Sequence, residues 1–162
     1  MKEYGFVIRL FNQIIPKIND CDVLLLSSRF FHIENKCNKE KENILQTIKM
    51  FNNCISKVIW FDQRDSSGNS QFEVLPFVSK YLKNQLLKNT SLYEKEMYGN
   101  RIYTDYYHSN NQIIDSYCES QEPLLAKDKH KLGLSWNIGL ANINGMGMTY
   151  FSRNLYQILG SL

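Results

Sequence analysis

Two short, unbroken apolar runs, Asp22-Val-Leu-Leu-Leu-Ser27 and Lys57-Val-Ile-Trp-Phe61, restrict most strongly what this chain can become. Continuous runs of this length suit strands buried on both faces in the middle of a parallel sheet. Between them, after a polar and charged stretch over residues 34–42, Ile44, Leu45, Ile48, Phe51 and Ile55 recur at helical spacing. They form the apolar stripe of a surface helix covering the sheet. Strand, helix and strand make a βαβ unit, whose crossover is almost always right-handed. The expected fold class is therefore α/β, a three-layer Rossmann-like domain with a mainly parallel sheet. The chain has 162 residues, 43% of them apolar and 13% aromatic, which suits one compact domain over residues 1–162 and excludes wholesale disorder.

The remaining elements are assigned by the same patterning. Ile8, Phe11, Ile15 and Ile18 predict a helix over residues 4–18, ended or kinked by Pro16. Residues 72–75 read as a short strand, 77–87 as an amphipathic helix, 93–99 as a helical turn or two, and 101–104 as a strand. A last strand over 132–138 leads into a glycine-rich stretch and a closing helix over 150–159, with Gly160 at its end. Lys80, Lys83 and Lys88 give the 77–87 helix a basic side. That side is either a solvated face or one turned toward an anionic membrane or a diphosphate group.

Several functional classes fall away on spacing. No apolar run approaches the roughly 20 residues that cross a bilayer, and the N-terminus has no secretory pattern, so a cytoplasmic location is expected. A net charge of +3, scattered along the chain, argues against nucleic acid as a partner. Cys21, Cys37, Cys54 and Cys118 lie far apart without a C-x-x-C pair, which excludes a zinc ribbon and a redox pair. They read as reduced, buried thiols with no disulfide partner. His32, His108 and His130 are isolated, so no metal site is expected. The turn over residues 27–31 contains no glycine, and Gly145-Met-Gly147 lacks a third, so neither carries a dinucleotide fingerprint and no cofactor is expected.

Two segments concentrate polar chemistry. The loop over residues 62–70 follows the second strand at its C-terminal end, the edge where open α/β sheets bind ligands. Its Asp62 and Asp65, with Ser66 and Ser67, can hold a ligand's hydroxyls, or can cap backbone amides in a turn where Gly68 supplies a positive φ. Residues 98–108 (YGNRIYTDYYH) bring Arg101, Asp105, Tyr106 and His108 together. They can stack on and hydrogen-bond a sugar, or can be an interior strand in which Arg101 pairs with Asp105. The candidate substrate-binding residues are thus Asp62, Asp65, Ser66, Ser67, Arg101, Asp105, Tyr106 and His108. No nucleophile elbow adjoins His108, so no residue is assigned a catalytic role.

Three strings together resemble a known group: KVIWFDQRDSSG (57–68), FEVLPFVSKYLKNQLLK (72–88) continued by SLYEKEMYG (91–99), and RIYTDYYH (101–108). They are similar to the N-terminal half of glycosyltransferase-like proteins encoded in bacterial surface-polysaccharide clusters, over roughly residues 4–140. The resemblance implies the GT-B arrangement, two Rossmann-like domains facing across a cleft. In that arrangement the C-terminal domain holds most of the nucleotide-sugar donor, so this chain is expected to be the acceptor-side domain without its donor half, truncated and inactive alone. Its partners would be a nucleotide-sugar and a glycan acceptor once a second domain is supplied, with at most peripheral membrane contact. The alternative is a non-catalytic binding or scaffold module that docks on another polysaccharide-biosynthesis enzyme through its aromatic surface. An unrelated small α/β enzyme with its site at the sheet's switch point is a third expectation.

Overall fold

The computed structural model describes residues 5, 7–64, 66–116 and 122–135. The chain divides into two units, Pro16–Ser135 and a second made of Met1–Ile15 with Trp136–Leu162. In the second unit the described residues 7–15 form no helix, contrary to the helix expected over 4–18. Of the expected stripe Ile8 is exposed, Phe11 and Ile15 are half-buried, and only Ile18, in the 3-10 turn Pro16–Asn19, is buried, and helical periodicity alone does not hold a short helix together. The expected strand residues 136–138 and the closing helix over 150–159 lie outside the described residues, as do Asp65 and Cys118.

The larger unit is an α/β domain with an all-parallel sheet of four strands in the order β1-β2-β3-β4. β1 spans Val23–Ser27, β2 Lys57–Asp62, β3 Lys80–Lys83 and β4 Leu132–Leu134. Three α-helices are described: α1 over Ser28–Phe31, α2 over Asn38–Cys54 and α3 over Ile102–Asn111. α2 is the expected crossover between β1 and β2. It starts where the Glu40 carboxylate reaches back to accept from the Cys37 amide at 3.1 Å.

Register explains the core. Leu24 stands beside Val58, Leu26 beside Trp60, Trp60 beside Tyr81, and Asp62 beside Lys83. These side chains share the buried face of the sheet, where the Phe31 and Phe72 rings lie 5.5 Å from Trp60 and Tyr81 respectively. Ile48 and Phe51 of α2 and Val74 and Leu75 of the 3-10 turn Phe72–Phe77 complete the layer. Right-handed crossovers in a sheet that follows chain order all fall on one face. β1 lies at the edge of the described sheet and is buried on one side only, with Val23 44% and Leu25 59% exposed. The expectation that it fills the sheet's middle, buried on both faces, is corrected. The strand order never reverses, so the described sheet has no switch point.

Three other elements, and the cysteines, differ from expectation. Residues 72–75 belong to the 3-10 turn Phe72–Phe77, and the middle of the expected 77–87 helix is β3. In β3 the residues alternate, with Tyr81 and Lys83 inward; the lysines that mimic a solvated helix face do so only because Lys83 is paired inside. The expected strand over 101–104 is the start of α3, which buries no residue, so neither periodicity could register there. Cys21, Cys37 and Cys54 are exposed rather than buried. Among the described residues no helix is long and apolar enough to cross a membrane.

One-sided burial makes a direct prediction. Leu24→Ala should cost about 2–4 kcal/mol of stability, because it leaves a cavity in the covered face. The neighbouring Leu25→Ala should cost less than about 1 kcal/mol, as exposed substitutions do. Urea unfolding of both variants checks this, and equal losses would place both leucines in a core.

Candidate functional site

The C-terminal ends of β1 and β2 carry the polar chemistry of the domain, and one fully buried carboxylate organises it. Asp62 is the last residue of β2 and faces the covered side. Its Oδ1 accepts from the Arg64 amide at 3.1 Å and from Arg64 Nε at 3.0 Å. Its Oδ2 accepts from Arg64 Nη2 at 3.1 Å, from the Tyr81 hydroxyl at 2.6 Å and from Lys83 Nζ at 3.0 Å. The guanidinium therefore grips the carboxylate with two nitrogens, the strongest geometry available to such a pair.

The same partners hold the following loop. Arg64 Nη1 donates to Asn69 Oδ1 at 2.6 Å, and Lys83 Nζ donates to the Asn69 carbonyl at 2.5 Å. The Gln71 amide donates to the Tyr81 oxygen at 2.8 Å, and the Tyr93 hydroxyl donates to the Ser67 carbonyl at 2.5 Å. The loop is thus tied at residues 64, 67, 69 and 71 to side chains that β2, β3 and the 3-10 turn Thr90–Glu94 hold rigidly.

Titration follows the geometry. Burial pushes the Asp62 carboxyl up, but the Arg64 hydrogen bonds, the Lys83 and Arg64 charges and the Tyr81 hydroxyl outweigh it and hold the group below the ordinary carboxylate value. Burial lowers Lys83, and the Asp62 charge restores part of the loss. Burial first, then the neighbouring Asp62 charge, raises Tyr81 well above a normal phenol, so it stays a donor. Glu73 is raised by burial, against the pull of Arg64 and Lys41.

In front of this network lies an open pocket of about 680 Å³. Ser28, Arg29 and His32 enter it from α1 and its end, Glu34 from the following turn, Gln63, Arg64, Ser66 and Asn69 from the loop, and Arg101 from the start of α3. The Gln63 amide donates to Ser28 Oγ at 3.0 Å, which joins the two strand ends. His32 turns the chain at the pocket wall with φ 47°, a left-handed conformation that histidine adopts more readily than most residues. Gly68 brings Arg101 to the loop: a Cβ there would stand 3.2 Å from the Ile102 amide nitrogen and 3.6 Å from Arg101 Cα. It serves close approach; its φ is not positive, contrary to the turn chemistry expected of it.

The candidate residues divide accordingly. Ser66 and Arg101 line one pocket, whereas Asp62 stands behind it as an anchor and Ser67 contributes its carbonyl to Tyr93. Asp65 lies outside the described residues. Asp105, Tyr106 and His108 are not in the lining: Asp105 accepts from the Tyr98 amide at 3.0 Å, Tyr106 packs edge-on to Tyr107, and the His108 ring stacks on Tyr98 at 3.7 Å. The expected Arg101–Asp105 side-chain pair does not form; only the Asp105 amide donates to the Arg101 carbonyl, at 2.9 Å. Sequence reasoning missed Arg29, Arg64, Asn69 and Lys83. Arg29 was legible in principle, because it follows β1 just as the loop follows β2, and the strand-edge rule applies to both. Among the described residues no group of three or more His, Cys, Asp and Glu side chains is placed to hold a metal ion.

No family model, no curated protein and no solved structure matches this chain.

Removing one partner of the buried pair strands the other. Asp62→Asn should cost about 3–5 kcal/mol, since it leaves two cations around a neutral amide. Lys83→Met should cost less, and the double variant should lose clearly less than the sum of the singles. A double-mutant cycle by urea unfolding tests this, with simple additivity as the contrary result.

Proposed function

We propose that this chain is the acceptor-side domain of a glycosyltransferase-like protein of surface-polysaccharide assembly, acting in the cytoplasm and binding a polar, sugar-containing ligand in the pocket at the C-terminal ends of β1 and β2. The observation that carries the reading is the lining itself. Hydroxyl, amide and guanidinium groups from three separate segments (Ser28, Gln63, Ser66, Asn69, Arg64 and Arg101) converge on one open pocket, and the Asp62 network fixes two of them. Sugars are recognised by such arrays, in which several donors and acceptors with locked geometry meet a ligand rich in hydroxyls. The resemblance of residues 57–68, 72–99 and 101–108 supports the same assignment, because the pocket draws on the first and last of these strings.

The role is binding and orientation. Of the described lining carboxylates there is Glu34 alone, and its Oε2 already accepts from Gln71 Nε2 at 2.8 Å. Chemistry on a bound acceptor therefore calls for groups and a nucleotide-sugar donor brought by a second domain. A second reading, docking on another polysaccharide enzyme, is favoured by one observation: α3 buries nothing and exposes Tyr103, Tyr106 and Tyr107 at 76%, 58% and 49%.

Amide chemical-shift mapping with short glycans and methyl glycosides separates the two. The first reading predicts shifts at Gln63, Ser66, Asn69 and Arg101. An unperturbed pocket, with a partner enzyme instead shifting residues 103–107, would replace it by the docking reading.

A further inference from the structure

The strand residues that alternate with those of the covered face point the other way. They place Val23 and Leu25 of β1, Ile59 and Phe61 of β2 and Leu82 of β3 on one surface, with Lys57 and Lys80 at its N-terminal end. Register sets Leu25 beside Ile59, Ile59 beside Lys80, and Phe61 beside Leu82. Gly133 of β4 adds no side chain, and a Cβ there would stand 2.9 Å from Leu82 Cδ2, so Leu82 leans over it. Val23 and Leu25 are exposed, and Ile59, Phe61 and Leu82 are half-buried. All-parallel sheets take a layer of helices on each face. The backbones of β2 and β3 are already paired on both sides, so an occupant of this face must bring side chains, as a helix with an apolar stripe does.

Charge narrows the occupant. Lys57 makes no hydrogen bond or ion pair with a described residue, and Lys80 Nζ donates to the His130 carbonyl at 2.8 Å, which leaves its charge unneutralised. No described strand position on this face carries a carboxylate, so a second copy laid against it offers the lysines no anion in any orientation. The smaller unit of the chain, residues 1–15 and 136–162, is equally poor in anions: its single acidic side chain is Glu3, against Lys2, Arg9 and Arg153. The matching group has to come from elsewhere.

We propose that this face docks an acidic amphipathic helix of a partner protein, whose apolar stripe covers Leu25, Ile59, Phe61 and Leu82 and whose carboxylates meet Lys57 and Lys80. From Val23 to Ser27 the face runs about 13 Å, a length that about nine helical residues span. None of its residues lines the pocket, so the docking does not depend on what the pocket binds.

The probes are two synthetic helical peptides of about 14 residues that share one leucine stripe, with glutamates at the polar positions of the first and lysines at those of the second. Amide chemical-shift mapping on the full chain reads their binding. The glutamate peptide should bind and shift residues 25, 57, 59, 80 and 82. The lysine peptide should bind at least about tenfold more weakly, by a margin that shrinks as salt rises. Lys57→Glu/Lys80→Glu should reverse that preference. Leu25→Ser alters an exposed side chain, so folding should survive, and it should weaken the glutamate peptide by about tenfold or more through lost apolar burial. In Leu25→Cys the new thiol should react with a maleimide as fast as the exposed Cys54, followed by peptide mass mapping. Protection at position 25 would mean that the chain covers the face itself. A dimer that Leu25→Ser dissolves would give the face to a second copy, and sedimentation with phosphatidylglycerol vesicles that Leu25→Ser abolishes would give it to a membrane. Each of these three results overturns the proposal, as does equal binding of the two peptides or binding of neither.

Discussion

A carboxylate withdrawn completely from water is costly unless cations and donors surround it, and Asp62 is surrounded on every side. Arg64 and Lys83 neutralise it, the Tyr81 hydroxyl and the Arg64 amide complete its shell, and each of those partners also touches the loop or the sheet. The consequence reaches beyond stability. Asp62 sits at the end of the central strand pair, so fixing its partners fixes Arg64 and Asn69, two residues of the pocket lining. Without the carboxylate, Lys83 would be a buried, unpaired ammonium and Arg64 would be free to leave the wall.

The parts of this domain that the sequence makes legible are those where burial is one-dimensional. The runs around Leu24 and Trp60 announce strands, and the stripe from Ile44 to Ile55 announces the crossover helix, because each shows its period without help from distant residues. β3 is opaque for the opposite reason. Its inward Lys83 makes sense only beside Asp62, a residue 21 positions away, and a lysine viewed alone looks like a solvated face. α3 is opaque because nothing on it is buried, so no period is imposed. Gly68 looks like a turn glycine, but its role is set by the start of α3, more than thirty residues later.

The candidate site shows the same division. The rule that ligands meet parallel sheets at the strands' C-terminal ends points to the loop after β2, and Ser66 and Arg101 do face one pocket. Tyrosine enrichment near Arg101 misleads, since His108 spends its ring on Tyr98 and Tyr106 on Tyr107. What decides the pocket's character is its arginines, and they come from three segments that only folding unites. The pocket lies at one end of the strands of the described sheet, on its rim.

The ionisation of Asp62 tests this account most directly, and carbon-detected NMR titration of its side-chain carboxyl measures it. The account predicts a folded-state value below that of an unfolded aspartate, held there by Arg64, Lys83 and Tyr81 against the effect of burial. The linked stability is then fully present above the unfolded value and is lost as pH falls through the folded one. A carboxyl that titrates at or above the ordinary aspartate value, with Arg64 and Lys83 signals unmoved, would contradict it and leave the pocket floor without its anchor.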